Sequence, residues 1–366
     1  MSYITSIGTA NPPHKFSQQQ IADFMIRAME LNEEEAQQLR ILYRASGIEN
    51  RYSVLEDYGT TEQFSFYSNS KNLEPFPSTK SRLELYRKQS VNISKNAALK
   101  CLNAQNTNPK NITHLIAVSC TGMYAPGLDI DLIEHLQLNS TIQRTCINFM
   151  GCYAAFNALK VADSLCAQNP AAIVLIVCTE LCSIHFQKEN TEDNKLANAL
   201  FADGSAALLI QSRAGKGASL KIGSFFCDLA PDGNKDMAWS VGNQGFEMKL
   251  SSYVPNVIKK GISKLTSSLL QANKININDI SYFAVHPGGK KILETIEQEL
   301  GIDRRDNQFS YSVLKKYGNM SSPTVLFVLK EIYDQLSSND HNKKILSFGF
   351  GPGLTLESLV LTVQST

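Results

Sequence analysis

The chain has 366 residues, of which 43% are hydrophobic and 19% are charged, so it can bury a large core and is not expected to be disordered. Lys and Arg total 35 against 34 Asp and Glu, a formal net charge of +1, which excludes a broad electrostatic surface for nucleic acid or an anionic membrane. No signal peptide and no apolar run of about 18 residues is visible, so we expect a cytoplasmic protein without a membrane span.

The eight cysteines are expected to be reduced in that compartment. Their spacings, such as Cys146 to Cys152 and Cys178 to Cys182, lack the Cys-x-x-Cys pairs of structural zinc sites, so the sequence predicts no metal. Most cysteines are flanked by Ile, Val and Leu, which is typical of small core residues. Cys152 is the exception, because it lies where a strand-like pattern changes to a helical one.

The spacing of apolar residues predicts helices alternating with short buried strands. In chain order the predicted elements are helices within 17–45 and at 92–104, a strand at 112–120, a strand-to-helix turn opening 151–165, strands at 173–180 and 205–210, loops and hairpins over 211–250, a strand at 280–288, a second turn and helix over 318–332, and strands at 345–352 and 356–363.

The second half of this series repeats the first. ITHLIAVSC (112–120) is answered by ISYFAVHPG (280–288), and GCYAAFNALKVADSL (151–165) by GNMSSPTVLFVLKEI (318–332), at a nearly constant offset of about 170 residues. The repeat predicts an α/β fold of two related halves, 1–215 and 216–366, about a pseudo-twofold axis. Cys152 and Asn319 then occupy equivalent positions and are expected to face one site.

Cys152 follows Gly151 where a strand-like segment changes to a helical pattern. A sharp turn would place its thiol at a helix N-terminus, where the helix dipole and free amides favour a thiolate. Taken alone, a cysteine at such a place is more often a buried structural residue. The partners described next favour the functional interpretation.

His286 and Asn319 are those partners. His286 ends a predicted strand, and Pro287, Gly288 and Gly289 turn the chain towards a helix. A histidine at the carboxyl end of a buried strand is placed to react, although a lone one is more often structural. Asn319 follows a second Gly; it serves either as a helix cap or as a neutral amide donor for a developing enolate oxygen.

Two further segments draw attention. GFGPG, containing Gly349, Phe350, Gly351 and Pro352, lacks the Lys and Ser/Thr of a phosphate loop and is expected to turn tightly against the site. ALFADGSAALLI places Phe201 just before a predicted Gly-containing turn, where the residues alone indicate an ordinary core aromatic.

Together these segments resemble the type III polyketide synthases, the chalcone and stilbene synthase family, from about residue 3 onward. The most specific pieces are MGCYAA, ALFADGSAA, VHPGGKKIL, YGNMSSPTVLFVL and GFGPGLTLES. The resemblance implies a layered αβαβα thiolase fold and a homodimer. It also implies that an acyl-CoA starter loads onto Cys152, whose thiolate His286 keeps ionised. His286 and Asn319 would then hold the thioester carbonyl of malonyl-CoA during decarboxylation, and the enolate would extend the starter by two carbons, without metal, organic cofactor or carrier protein. It implies a gatekeeper role for Phe201.

The departures from the plant enzymes concern the cavity and its mouth. Met248 stands where they carry a second gatekeeping phenylalanine, Cys182 and His185 replace threonines, and Trp239 replaces a small residue. Arg40 and Arg44 lie in the helix that binds CoA in the family, without matching one for one, and Ala125 precedes Pro126 in a loop that reaches the partner subunit in plant enzymes. The resemblance thus points to a bacterial-type member and leaves starter, number of extensions and product open.

Two other functions compete with this one. An initiating β-ketoacyl-acyl-carrier-protein synthase shares the Cys–His–Asn set, but it usually carries His-Gln-Ala-Asn at the histidine and lacks GFGPG; a hydroxymethylglutaryl-CoA synthase-like condensation is favoured less still. The non-enzyme alternative is a thiolase-fold binding protein with a relict site, which the retention of all three polar residues disfavours.

Overall fold

The computed structural model describes residues 1–230, 233, 236–251 and 253–365, and its main element is a mixed nine-stranded sheet. The strands are β1 (Tyr3–Ala10), β2 (His14–Ser17), β3 (Asn50–Ser53), β4 (His114–Ser119), β5 (Gln143–Asn148), β6 (Ile173–Leu181), β7 (Asp203–Gln211), β8 (Ala218–Leu229), β9 (Met237–Gly242), β10 (Gly245–Leu250), β11 (Ile280–Val285), β12 (Lys344–Gly351) and β13 (Thr355–Ser365). The helices are α1 (Gln18–Ala28), α2 (Glu33–Ala45), α3 (Thr79–Ala104), α4 (Leu128–Leu136), α5 (Ala154–Gln168), α6 (Glu192–Leu200), α7 (Val254–Asn273), α8 (Lys290–Leu300), α9 (Gln308–Tyr317) and α10 (Thr324–Tyr333).

The order of the strands shows the predicted duplication. The sheet runs β11-β12-β13-β8-β1-β7-β6-β4-β5, so that from its centre β1-β7-β6-β4 is matched by β8-β13-β12-β11. The pairings also match, because β4 and β6 are parallel like β11 and β12, while β6 and β7 are antiparallel like β12 and β13. The predicted domain boundary between 215 and 216 stays a prediction; it falls in the connection between β7 and β8.

The central layer consists of α5 and α10, which lie between the two halves of the sheet. α5 packs on β4 and β6 and reaches β13, and α10 packs on β11 and reaches β1 and β7. The sequence suits both helices to this place. α5 presents buried alanines (Ala154, Ala155, Ala158 and Ala162) that allow close approach, and α10 is apolar on all sides from Val325 to Leu329.

Two outer helical layers complete the αβαβα arrangement. α3 covers the N-terminal half of the sheet, and α7 with α8 covers the C-terminal half. The contact between α3 and β1 is close, since a Cβ added at Gly8 would lie 2.5 Å from the backbone nitrogen of Cys101. The fold class predicted from the sequence is confirmed.

Three predicted elements differ in detail. The helical stretch within 17–45 is two capped helices, α1 and α2, because Asn32 starts a new capping box. The helix predicted at 92–104 begins at Thr79, where Ser78 caps it before a largely polar first half. The 211–250 segment contains the long strand β8 and the separate β9–β10 hairpin, while residues 231, 232, 234 and 235 lie outside the described part.

Among the described residues, no helix combines the length and apolar character needed to cross a membrane. Within the same residues, no group of three His, Cys, Asp or Glu side chains is placed to hold a metal ion.

Candidate active site

Cys152 lies in a sharp turn between β5 and α5. Phe149 and Gly151 both have positive φ, 62° and 73°, and a 3₁₀ turn over Gly151–Tyr153 leads into the helix. Gly151 is also required by space, because an added Cβ would collide with the ring of Pro352. The thiol is thus buried at the start of a helix, as predicted, with 3% of the residue exposed.

The glycine-rich end of β12 lies against this turn. A Cβ added at Gly351 would lie 2.5 Å from Cδ1 of Tyr153 and 3.3 Å from the backbone nitrogen of Cys152. Phe350 packs in the core cluster that includes α7, and Gly349 lies against the ring of Phe156; contact of this segment with substrate stays a prediction. Successive side chains of a strand point to opposite faces, so the segment cannot present all of its residues to one cavity.

His286 follows the last residue of β11, as predicted, and its backbone nitrogen donates to Phe348 of the neighbouring β12 at 2.9 Å. The residue is 1% exposed, and among the described residues neither ring nitrogen has a hydrogen-bond partner. Burial lowers the pKa of His286 to about 3. A buried imidazole without partners is costly to stability, and such a group is expected where a ligand completes its bonding.

Asn319 is held to the Phe201 segment by main-chain hydrogen bonds. Its nitrogen donates to Leu200 O at 2.9 Å, and its carbonyl accepts from Ala202 N at 2.8 Å. The side-chain oxygen accepts from Ser321 N at 2.8 Å, and the amide nitrogen makes a long contact of 3.4 Å with Gly288 O. Asn319 precedes α10 by several residues, so it does not cap that helix and its amide donor faces the turn after His286.

The segment that follows Phe201 differs from the sequence prediction. The predicted turn at Gly204 does not form, because β7 begins at Asp203 and runs through Gly204. Gly204 is needed for another reason, since an added Cβ would collide with the sulfur of Met320.

The electrostatics around Cys152 oppose a resting thiolate. Burial raises the pKa of Cys152 to about 12, and the charge of Glu180 raises it further, while the side chains of Ser321 and Asn319 lower it. The sequence predicted that the helix N-terminus would favour the thiolate; desolvation outweighs that effect in the structure. Because the Asn319 side chain lies close enough to lower the pKa of Cys152, these two residues, far apart in the sequence, are neighbours in the fold.

Glu180 is a site residue that the sequence analysis missed. It is the second-last residue of β6, whose first six residues are apolar, and it is fully buried. One carboxylate oxygen accepts from Cys120 N (3.0 Å), Thr121 N (3.1 Å) and Thr121 Oγ1 (2.7 Å), and the other from Ser322 Oγ (2.6 Å). A charged residue closing an otherwise apolar strand was the available signal, because a buried carboxylate requires dedicated donors.

Arg51 was also missed. Its Nη1 donates to the carbonyls of Asn198 (2.8 Å) and Phe201 (2.7 Å), and its Nε donates to Gln18 Oε1 (2.9 Å). A Cβ added at Gly318 would lie 2.9 Å from Cγ of Arg51. The buried guanidinium therefore fixes the segment to which the backbone of Asn319 is paired.

The cavity residues predicted from the resemblance lie together. A narrow cavity of about 40 Å³ is lined by Cys182, His185, Phe201, Trp239 and Met248. On the scale of buried water sites this volume holds only a few waters. The structure thus gathers these five residues in one place.

The wall of this cavity is locked by hydrogen bonds. His185 Nδ1 accepts from Phe246 N at 3.0 Å, so Nε2 carries the proton and donates to Thr121 O at 2.7 Å. The His185 ring stacks on Phe246 with centroids 4.3 Å apart, and Trp239 Nε1 donates to Cys120 O at 2.8 Å. Both ring nitrogens of His185 are therefore occupied, and it offers the cavity a ring face rather than a polar atom.

Arg40 and Arg44 lie on α2, and their predicted contact with CoA stays a prediction. Arg40 lies 3.8 Å from a carboxylate oxygen of Asp23 and 3.7 Å from one of Glu33. Arg44 is exposed in the last turn of α2 and, like Arg40, does not line the cavities beside the site. Charge pairing on the helix surface accounts for the position of Arg40.

Comparison with known proteins gives consistent matches along the chain. The family described as chalcone and stilbene synthases matches in two parts, its N-terminal domain at residues 1–214 and its C-terminal domain at residues 222–364. "Probable polyketide synthase 1" of Dictyostelium discoideum is 30% identical over 98% of this chain, which spans 11% of that protein's length. The "Alpha-pyrone synthesis polyketide synthase-like Pks18" of Mycobacterium tuberculosis is 30% identical over 99% of this chain and 91% of its own.

Solved structures give the same result. The PKS-I structure from the brown alga Ectocarpus siliculosus superposes with a TM-score of 0.92 at 28% identity, covering 99% of this chain and 98% of that one. The C-terminal type III polyketide synthase domain of Steely1 from Dictyostelium superposes with a TM-score of 0.90 at 29% identity, covering 99% of both chains.

The buried thiol should need His286 for its reactivity. With burial holding the pKa of Cys152 at about 12, removal of the imidazole as proton acceptor in His286→Gln should slow iodoacetamide alkylation of Cys152 about tenfold or more at pH 7. Peptide mass spectrometry measures the rate, with the exposed Cys227 of the same sample as internal control. An unchanged Cys152 rate would remove His286 from this role.

Proposed function

Because the chain belongs to the chalcone and stilbene synthase family of type III polyketide synthases, we propose that it loads an acyl-CoA starter on Cys152 and extends it with malonyl-CoA. The observation that carries this proposal is the convergence of Cys152 and Asn319 beside the turn that follows the unpartnered His286. A thiol, an imidazole and a neutral amide suffice for acyl transfer and for stabilising an enolate.

In the loading step, the sulfur of Cys152 attacks the thioester carbonyl of the starter. The thiol proton passes to a nitrogen of His286, whose lowered pKa makes it a neutral acceptor at rest. The tetrahedral intermediate then expels the CoA thiolate, which takes up that proton and leaves as free CoA. Moving a proton between two buried neutral groups creates a charge pair rather than an isolated charge, which the low-dielectric site tolerates better.

In the extension step, malonyl-CoA binds with its thioester oxygen towards Asn319 Nδ2 and His286. Loss of carbon dioxide leaves the electron pair as an enolate on that oxygen, and the two neutral donors stabilise it without acting as bases. The enolate carbon attacks the acyl carbonyl on Cys152, and the sulfur is expelled. The product is a β-ketoacyl-CoA two carbons longer, ready to load again.

The product is the next part of the proposal. The hydrogen-bonded wall of His185, Phe246 and Trp239 narrows the space next to Phe201. We favour an α-pyrone, formed when an enol oxygen of the poly-β-keto intermediate attacks its own thioester and releases CoA, over a resorcinol or phloroglucinol, which requires a carbon–carbon ring closure. The mycobacterial relative named for α-pyrone synthesis supports this choice.

We also propose that the reaction needs no metal or organic cofactor, since both the starter and the extender are already activated as CoA thioesters. It takes place in the cytoplasm, where acyl-CoA and malonyl-CoA are available.

A homodimer through β5 is part of the proposal. This edge strand is exposed and pairs with β4 on one side only, which leaves a row of backbone donors and acceptors open. Met123, in the loop before Ala125 and Pro126, is 42% exposed beside it. A second copy related by a twofold axis would cover the same surface on both subunits.

The proposed roles of Cys152 and Asn319 predict that starter loading and malonyl-CoA decarboxylation can be lost separately. Cys152→Ala should abolish starter loading and condensation but keep malonyl-CoA decarboxylation, because the thiol takes no part in that step. Asn319→Ala should lower decarboxylation about a hundredfold, the usual effect of removing one oxyanion donor. Radiolabelled malonyl-CoA and mass spectrometry of the acyl-enzyme measure both steps, with Cys166→Ala as a buried cysteine control. Wild-type decarboxylation in Asn319→Ala, or strict dependence on acyl carrier protein, would contradict the proposal.

The cavity wall predicts control of chain length. Trp239→Ala should open the cavity and add at least one malonyl extension to the main product, whereas Trp239→Phe, which keeps an aromatic ring, should change it less. Liquid chromatography with mass spectrometry, using one acyl-CoA starter for all variants, gives the product masses. An identical product distribution in Trp239→Ala would show that this wall does not limit the chain.

The dimer proposal predicts a matched contrast between two exposed cysteines. Cys146→Lys places a charge on the β5 edge and should shift the protein from dimer towards monomer, while Cys227→Lys on β8 should not. Size-exclusion chromatography with light scattering measures the mass. A wild-type monomer, or equal behaviour of the two variants, would contradict the assignment of this surface.

A further inference from the structure

The small β9–β10 sheet carries part of the cavity wall without belonging to the large sheet. Trp239 on β9 and Phe246 and Met248 on β10 line the narrow cavity. Among the described strands, β9 and β10 pair only with each other. Within the described ranges, one backbone hydrogen bond joins this hairpin to another element, from Thr79 N to Asn243 O at 2.9 Å. Side-chain contacts must therefore hold this part of the wall in place.

The first residue of α3 holds the turn of the hairpin on both sides. The hydroxyl of Thr79 accepts a hydrogen bond from Gly245 N at 2.8 Å and donates one to Gly242 O. The backbone nitrogen of Thr79 has no acceptor within its own helix at this position, and it donates to Asn243 O between them. Three hydrogen bonds from one residue thus fix the chain reversal that ends β9 and starts β10.

One turn further along α3, Arg82 packs against the same hairpin turn. The residue is fully buried, and a Cβ added at Gly245 would lie 2.8 Å from its Cδ. The guanidinium donates to Pro77 O at 3.0 Å, just before α3, and to Ile184 O. Ile184 directly precedes His185, so the start of α3 supports both the hairpin turn and the histidine segment of the cavity wall.

The turn held in this way continues directly into the cavity wall. Phe246 follows Gly245 in the chain, and its ring stacks on that of His185 with centroids 4.3 Å apart. The same ring meets that of Trp239 edge to face, with centroids 5.8 Å apart. A shift at Gly245 therefore moves the ring against which both other aromatic rings pack. Thr79 is not among the described residues that line the cavity, so it acts on the cavity only through the hairpin.

We infer that Thr79 is a positioning residue that sets product length from outside the cavity, by holding the β9–β10 turn and thereby the ring of Phe246. The inference rests on the proposed function. When the hydroxyl is lost, the turn can move away from α3, and the wall that it carries then admits a longer polyketide chain. Cys152, His286 and Asn319 lie outside the hairpin, so starter loading and decarboxylation are unaffected.

The test removes the hydroxyl of Thr79 and keeps the shape of the side chain. In Thr79→Val, the share of products that carry a further malonyl unit should rise about fivefold or more, the population change expected for a lost hydrogen bond. Thr79→Ser keeps the hydroxyl and should retain the wild-type share. Liquid chromatography with mass spectrometry measures the products from one acyl-CoA starter. Hydrogen–deuterium exchange over 242–250 should be faster in Thr79→Val and unchanged in Thr79→Ser.

The matched control is Thr266→Val on α7. Thr266 is buried, and its hydroxyl has no hydrogen-bond partner in the described part of the chain, so this variant should keep the wild-type products and hairpin exchange. In every variant the rate of malonyl-CoA decarboxylation should stay within about twofold of wild type, which separates repositioning of the wall from general damage to the site.

An unchanged product profile in Thr79→Val, the same change in Thr79→Ser, or a parallel loss of decarboxylation would overturn the role of the hydroxyl while leaving the proposed function intact. A wild-type protein that releases no polyketide from any CoA thioester would instead overturn the proposed function itself.

Discussion

The buried carboxylate of Glu180 is the constraint on which the arrangement of the site depends. A charge removed from water must be compensated by hydrogen bonds, and the donors come from both halves of the chain: Cys120 and Thr121 from one, Ser322 from the other. The segment after Asn319 therefore cannot move away from the end of β6 without depriving the Glu180 carboxylate of the hydrogen bond from Ser322. Cys152 and Asn319 lie close to this hydrogen-bond network, which limits the movement of the segments around them.

Burial also sets the resting protonation states of Cys152 and His286. Desolvation moves the pKa of Cys152 upward and that of His286 downward, so both groups rest neutral. Neutral groups at rest leave the site without a fixed charge of its own from Cys152 or His286. Arg51 contributes at a distance, because it holds the Phe201 carbonyl and thereby the strand-like pairing that positions Asn319.

The fold, and the places of Cys152, His286 and Asn319 at turns next to strands and helices, could be predicted from the sequence, because they leave local signals. The repeated apolar strands, the Gly-polar turns before Cys152 and Asn319, and the strand ending at His286 are all written in consecutive residues. Glu180 and Arg51 could not be predicted in the same way, since their partners come from distant segments. The role of His185 was likewise hidden, because only the fold shows that Thr121 and Phe246 occupy both of its ring nitrogens.

The β9–β10 hairpin has a consequence for how such enzymes diversify. Trp239, Phe246 and Met248 all lie on this small two-stranded sheet, which is not hydrogen-bonded into the nine-stranded one. Mutations there can reshape the space around a growing chain while the strands that carry the reacting groups keep their register. Selection for new products can therefore act on the side chains of this hairpin, within the limits set by its hydrogen bonds to Cys120 and His185.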